Sequence, residues 1–471
     1  MKFFIYFLIF VNVIVVFFFL QLVFYGVFSY IFYWRKKNKL DLSLAKILDL
    51  AEEKGLELPK ITIIIPAKNE SKVIGRTIDM FSKIDYPKNK YHLLLVLDDK
   101  EFDSLPYEKT THFVVEKKKK NYNHTFNCEF ISYVSVPKNF DGKFNGKIIE
   151  RVVPSTKPRA LNWALKFVPY DTDIIGFYDA DSTPDEEVLL YVSYKFLTAE
   201  KKDEILLQGS VIQTKNYHKI KSLNKIYALY QAITHEWYLP ILLTQLPFIG
   251  GTNFFVSKNI LEEVNGFDTD SLSEDLEIGL RLFLKKDLWP EFMPYVNLEQ
   301  TPPDYKSYFK QRARWATGYL QVMEKLLRYK DTSLSNKIYL LWGLFFYGFL
   351  PLAFTQIVSL VMIGITLTSV LGISHTYEIF PLEIRIFFFI MNVFYFIFTV
   401  YYFERAKRNF YIQIKHKPKR VFNFQELKNY LEILILPIAA FFSWPPYAYG
   451  IFRGIVKNGK IKWYKTPRTE E

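Results

Sequence analysis

Two patterns of apolar residues alternate along this chain. From Phe3 to Trp34 no side chain is charged. A helix of that length, roughly 48 Å at about 1.5 Å per residue, crosses a bilayer with some tilt. It is too long for a signal-peptide core and lacks a small-residue cleavage site, so an uncleaved transmembrane helix is expected. Apolar stretches return at 338–372, 384–403 and 431–452. Between these extremes, runs of strand length alternate with segments of helical spacing.

The strand-length runs are Ile61–Ile65, Tyr91–Leu97, Ile174–Tyr178 and Ile205–Leu207. A helix with Ile74, Ile78 and Phe81 on one face separates the first two. Strand, helix, strand at this spacing predicts βαβ units and a mainly parallel sheet. Further helices are expected from Lys157, over Glu186–Ala199, over 217–240, from Ser271 and over Pro302–Lys330. Order is expected to return at Ile148–Val153 after an exposed insertion, 117–147, that opens with four lysines.

Composition sharpens this. Of 471 residues, 50% are hydrophobic, with 45 Phe and 33 Tyr, and the net charge is +13. Beside apolar spans, such charge suits lipid headgroups and phosphate-bearing substrates better than nucleic acid, which is not expected as a partner. The single cysteine, Cys128, excludes an internal disulfide and a thiolate zinc site. Arg35-Lys36-Lys37-Asn38-Lys39 follows the first apolar run, and Arg405–Arg420 is basic while 373–383 has no Lys or Arg. The positive-inside rule then makes the polar middle cytoplasmic and 373–383 external. The segment 338–372 is expected to cross once with a kink at Pro351. The 431–452 segment, containing Pro437, Pro445 and Pro446, is expected to be re-entrant or interfacial. Four regions result: a first span, 1–34; a cytoplasmic domain, 35–301; an amphipathic interface helix, 302–337; and a C-terminal membrane region, 338–471.

Candidate chemistry sits where strands end. Asp179-Ala180-Asp181 closes the Ile174–Tyr178 run. Ligands bind at the carboxyl ends of strands in open α/β sheets, and paired acids there suit a divalent cation. A solvated turn is the competing explanation. Glu274 fits a capping box with Ser271, which accounts for it without catalysis; Asp275 has no such account. Gln311, Arg314 and Trp315 share a helix face.

In order, the chain carries Pro66-Ala67-Lys68-Asn69-Glu70, Leu97-Asp98-Asp99, Lys157-x-x-Ala160-Leu161-Asn162, Asp179-x-Asp181, Gly251-Thr252-Asn253, Ser273-Glu274-Asp275 and Gln311-x-x-Arg314-Trp315. With these motifs it resembles the membrane-integrated family 2 glycosyltransferases, which include cellulose, chitin, hyaluronan and mannan synthases and ceramide glucosyltransferases. The resemblance covers residues 60–330 by motif and the flanking segments by layout. It implies a GT-A fold, a Rossmann-like, mixed and mainly parallel sheet, with an inverting, Mg²⁺- or Mn²⁺-dependent transfer from a UDP- or GDP-sugar. It further implies that Pro66, Ala67 and Glu70 line the nucleotide pocket, that Asp98 or Asp99 meets the base, and that Lys157, Gln311 and Arg314 face the diphosphate. Asp179 would hold ribose or donor sugar and, with Asp181, the metal. Asp275 would be the general base, with Trp315, Gly251, Thr252 and Glu274 on the acceptor side. Lys100-Glu101-Phe102 after Asp99, and Ser273 in place of the more usual Thr, depart from the family pattern. The complete motif set favours a β-glycan synthase over single transfer to a lipid acceptor. The intact acids argue against an inactive scaffold or transporter.

Overall fold

The computed structural model describes residues 40–349 continuously, parts of 10–37 and 381–401, and residues 439, 442–456 and 464–470. Seven strands form one sheet: β1 (Ile61–Pro66), β2 (Tyr91–Asp98), β3 (Ile131–Val136), β4 (Ile174–Phe177), β5 (Leu206–Ile212), β6 (Phe254–Ser257) and β7 (Glu291–Leu298). Their order is β3-β2-β1-β4-β6-β5-β7. Strand β6 runs antiparallel to β4 and β5, and the other pairs are parallel. The mixed, mainly parallel sheet matches the expectation from spacing.

Burial on both faces explains the central strands. Ile61, Ile63 and Ile65 join Leu93 and Leu95 in one core, while Ile64, Leu94 and Val96 join Phe177 and Phe254 in the other. Continuous apolar runs are what a parallel sheet covered on both sides requires. Helix α1 (Leu44–Lys54) and helix α2 (Ile74–Phe81) lie on the first face, α2 burying Ile74, Ile78 and Phe81 as its spacing predicts.

Several expectations need correction. Residues 117–147 are not an exposed insertion. Helix α3 (Thr111–Phe126) begins at Thr110, whose hydroxyl accepts from the Phe113 N–H, and strand β3 then pairs with β2 from Leu93↔Ile131 to Asp98↔Val136. The lysine run rides on the outside of α3, where Lys118 pairs with Asp79 and Lys119 lies 5.5 Å from the Tyr133 ring centre. Ile148–Val153 forms no strand; Ile148 makes an isolated bridge to Phe140 and Val152 is exposed. Helix α4 (Lys157–Leu165) and helix α5 (Val188–Thr198) follow the expected positions closely. The 217–240 segment is broken into helix α6 (Ser222–Ile233), a π-turn at Thr234–Tyr238 and a helix at Leu239–Gln245. Helix α7 (Glu274–Lys286) has Ser273, not Ser271, at its N-cap position, and the Ser273 side chain makes no capping hydrogen bond, so the capping-box account of Glu274 fails. Helix α8 (Tyr305–Arg328) starts where the Asp304 carboxylate accepts from the Ser307 N–H.

Among the described residues no helix is long and apolar enough to cross a membrane. Much of 3–34, 350–372, most of 384–403, 431–438 and the Arg405–Arg420 stretch lie outside the described residues. Tyr33 and Trp34 dock on the Phe292 ring, and the Trp34 indole donates to the Glu236 carbonyl at 2.8 Å. Leu340 and Leu344 join the same apolar cluster. Pro445 and Pro446 open helix α9 (Pro445–Val456) rather than interrupting a segment. A first turn tolerates proline because its N–H groups have no intrahelical partner.

Candidate active site

Parallel strands β1 and β4 end on one edge of the sheet. Because β6 is reversed, its start reaches that edge, bringing Gly250–Asn253 beside β4. Gln208 holds this loop: its Oε1 accepts from Gly250 N–H at 2.9 Å and its Nε2 donates to Thr252 O at 3.1 Å. Gly251 has φ +75, and a Cβ there would stand 2.6 Å from Asp275 Oδ2. Glycine is required on both counts.

Three carboxylates converge. One oxygen each from Asp179, Asp181 and Glu299 lies within 4.8 Å of the others. Asp181 is fully buried; its Oδ2 accepts from Gln300 N–H at 2.8 Å and its Oδ1 has no hydrogen bond. Glu299 accepts from Thr252 Oγ1 at 2.7 Å, Asn297 Nδ2 at 2.9 Å and Ser182 Oγ at 3.1 Å. Burial, reinforced by Asp179 and Asp181, pushes Glu299 up to about 8. Burial also raises Asp181, partly offset by Arg468. Asp179 is lowered: burial opposes its charge, but Lys157 and Arg468 outweigh burial. Buried acids this close need a cation. An Asp181 oxygen that makes no hydrogen bond, inside an all-oxygen set, fits Mg²⁺ or Mn²⁺.

Lys157 starts α4, pairs with Asp179 and donates to the Gly251 carbonyl at 2.8 Å. Burial works against its charge, but Asp179, Glu274 and Asp275 hold the ammonium above its ordinary value. Glu274 is buried and Asp275 half-buried at the first turn of α7, where the helix N-terminus favours anions. Burial, then Asp275, pushes Glu274 up to about 7; burial also raises Asp275, against the pull of Lys157. Helix α8 lies directly on this turn. Arg314 donates to the Leu272 carbonyl at 2.9 Å, and Gly318 packs on Ser273 with no room for a side chain. Gln311 is buried, its Oε1 without a hydrogen-bond partner. One face of Trp315 carries the Arg312 guanidinium at 3.9 Å.

Asp179, Glu299, Lys157, Glu274, Asp275, Gln311, Arg314 and Trp315 line one cavity of about 210 Å³ with Pro66, Ala67, Glu70 and Asp98, whereas Asp181 and Gly251 do not form its wall. Of the two acids after β2, Asp99 does not reach it and instead opens a short 3₁₀ turn. Asp98 is engaged by Arg159 at 3.5 Å, Lys68 at 3.8 Å and the Lys100 N–H at 3.0 Å. Thr252 faces the metal-type carboxylates through Glu299 rather than standing apart from them. The spacing argument missed Glu299, His235 and the C-terminal Lys465 and Arg468. Glu299 follows β7 as Asp179 follows β4, but Pro294 and Asn297 break the strand pattern that would have marked it. His235 accepts from Val211 N–H at 3.2 Å and is pushed down to about 4 by burial and Arg312. No pattern marks the C-terminal residues.

Known proteins resemble this chain as follows. Residues 174–403 match the family model described as glycosyl transferase family group 2. A probable glycosyltransferase, YdaM, of Bacillus subtilis (strain 168) is 26% identical over 416 residues, 88% of this chain and 87% of the relative. A beta-monoglucosyldiacylglycerol synthase of Nostoc sp. is 26% identical over 287 residues, 60% of this chain and 53% of that protein, so about half its length is spanned. The mannosyltransferase PcManGT from Pyrobaculum calidifontis, solved in complex with GDP-Man and Mn2+, superposes with a TM-score of 0.45 at 15% identity over 91% of this chain and 97% of that one. The part of the chain that carries the site, from the strand bearing Asp179 and Asp181 through the helix bearing Arg314, is the part that matches glycosyl transferase family group 2, and 88% of the chain is similar to a probable glycosyltransferase.

Proposed function

We propose that this protein is an inverting, divalent-cation-dependent glycosyltransferase that moves a sugar from a UDP- or GDP-linked donor to a hydroxyl on a lipid-borne acceptor at a membrane surface. The observation that carries this reading is the placement of the Asp275 carboxylate against Gly251, in a cavity lined also by Lys157, Arg314 and two of the clustered acids, Asp179 and Glu299.

An acceptor hydroxyl is a poor nucleophile until its proton is taken. Asp275 accepts that proton as the acceptor oxygen bonds to the anomeric carbon from the face opposite the diphosphate. The bond from carbon to diphosphate oxygen breaks, and its electron pair leaves with the diphosphate. Lys157 and Arg314 stand where that negative charge builds. A cation held by Asp179, Asp181 and Glu299 would supply further charge neutralisation. Burial of Asp275 strengthens it as a base once ionised.

The acceptor follows from helix α9. It packs along α8 beside Arg314 and Trp315, with Gly450 against Ala313 and Ala316, and the Tyr449 ring 5.4 Å from Phe309. Phe452, Ile455 and Val456 on the same helix are exposed at 63, 68 and 61%. A short helix with a bare apolar face suits the headgroup boundary of a bilayer. This reverses the preference for a β-glycan product that the motif set suggested. A cytoplasmic position for residues 35–337 rests on the basic Arg35–Lys39 stretch.

Incubating membranes containing the protein with a panel of labelled nucleotide sugars tests the proposal. One sugar on an organic-extractable lipid is expected. A ladder of longer products would overturn the lipid acceptor, and no transfer from any donor would overturn the activity.

A further inference from the structure

The candidate cavity crosses the strand ends in sheet order, from Asp98 on β2 through Asp179 after β4 to Val211 on β5 and Gln213 just beyond it. At the β5 end, two side chains of one helical run grip the strand. Gln231 Oε1 accepts from Gln213 N–H at 2.8 Å, and its Nε2 donates to the Val211 carbonyl at 2.7 Å. One turn on, His235 Nδ1 accepts from Val211 N–H at 3.2 Å, and the His235 carbonyl accepts from Ser210 Oγ at 2.7 Å. His235 lies in the Thr234–Tyr238 π-turn, whose carbonyls at Glu236 and Trp237 accept from the Trp34 indole and the Ser29 hydroxyl. Turns of this kind recur at functional sites.

An Nδ1 that accepts from a backbone N–H carries no proton, so the ring's single N–H is on Nε2, on the side away from the strand. Burial and Arg312 push His235 down to about 4, which keeps the ring neutral. His235 lines the cavity, and so does Gln213, which is 7% exposed and whose Oε1 is buried without a hydrogen-bond partner. This wall therefore presents a donor and an unfilled acceptor from the end of one strand. An ionised diphosphate oxygen only accepts and cannot fill Gln213 Oε1, whereas a sugar hydroxyl both donates and accepts. Position agrees with chemistry. Asp275 stands against Gly251 at the approach to β6, on the β5 side of Asp179. With the diphosphate at Lys157 and the acids, the anomeric carbon lies towards Asp275 and the sugar ring extends towards β5.

We propose that His235 and Gln213 form the subsite for the ring of the transferred sugar, His235 donating from Nε2 to one hydroxyl and Gln213 Oε1 accepting from a hydroxyl, with Gln231 positioning both. The pair selects which sugar is transferred, because a buried polar group left unfilled penalises a donor that lacks the matching hydroxyl. This rests on the reading of the cavity as a nucleotide-sugar site with Asp275 as base.

Calorimetric titration of the full chain in Mn²⁺ with UDP-glucose, UDP-N-acetylglucosamine, GDP-mannose, their deoxy forms and free UDP and GDP tests it. The wild type should bind at least one deoxy form of its preferred donor about tenfold more weakly than the donor itself. His235→Ala and Gln213→Leu should each weaken the nucleotide sugar about tenfold, leave the nucleoside diphosphate unchanged, and bind a deoxy form as well as its parent. His235→Gln, whose amide N–H can stand in for Nε2, should recover part of the loss. Equal wild-type binding of every deoxy form would overturn the proposal even if His235→Ala failed to fold. Unchanged nucleotide-sugar affinity in the folded variants would overturn it too, a raised KM for the acceptor then assigning the subsite there. Equal losses for nucleotide sugar and diphosphate would mark a structural role and also overturn it. A wild-type chain that binds none of the nucleotides would instead overturn the donor site itself.

Discussion

The ends of β2 and β4 both carry acids, and the two differ in kind. After β2, Asp98 meets Arg159 and Lys68 and a backbone N–H, so its charge is matched by cations fixed nearby. After β4, Asp179 has Lys157, while Asp181 and Glu299 share the neighbourhood with Arg468 against the Asp181 carboxylate and Lys215 on its backbone carbonyl. The first arrangement is closed and structural. The second has more carboxylate than resident cation, and the deficit is what a metal and a phosphate can exploit. An acid at a strand end is therefore informative only together with its partners.

The comparison can be broken at several points. The largest effect is expected from Asp275→Asn, which removes the base and leaves both strand ends intact. Its kcat should fall about 10²–10⁴-fold while titrated nucleotide affinity holds; comparable product formation would sink the base assignment. Next, Asp181→Asn should abolish the gain in nucleotide-diphosphate affinity that Mg²⁺ or Mn²⁺ gives the wild type. Full wild-type activity in excess chelator would refute the cation altogether. Asp98→Asn should act on stability instead. It strips a partner from Arg159, whose side chain is 2% exposed, at a cost of about 3 kcal/mol. An unchanged midpoint in denaturant would show that the closed arrangement does not hold β2 in place.

The smallest effect concerns Glu274. In the folded chain its carboxyl keeps its proton up to about 7, against an ordinary value of 4.5. Between those pH values the folded state binds more protons than the unfolded one, so this group's contribution to stability declines as pH rises through the window. Glu274→Gln should flatten that decline, leaving the variant relatively more stable at pH 8 than at pH 5. Parallel unfolding curves for the two proteins across this range would contradict it.

Much of the central sheet was legible because β1, β2 and β4 are buried on both faces and read as unbroken apolar runs. The edge strand β3 buries only Ile131 and Val136, so its pattern dissolved into the lysine-rich stretch beside it. Strand β7 contains Pro294 and Asn297, which hid both the strand and the acid that follows it. Asp179, Asp181, Lys157 and Asp275 could be named because they stand at the ends of elements, and Arg314 because it shares a helix face with Gln311 and Trp315. Lys465 and Arg468 could not, since only the folded chain brings them to Glu70 and Asp181. The capping-box error at Ser271 came from counting three residues back to a hydroxyl when Ser273 was nearer the true start.

Helix α8 touches the turn bearing Asp275 through Gly318 and touches α9 through Ala313 and Ala316, opposite Gly450. Neither contact leaves slack: a Cβ on Gly450 would stand 2.8 Å from Ala316. Backbone against backbone on both sides makes α8 behave as a stiff lever rather than a cushion. On the proposed reading of α9 as a helix at a bilayer surface, a tilt imposed on it by the lipid would be passed along that lever to the Asp275 carboxylate, and turnover would follow bilayer thickness.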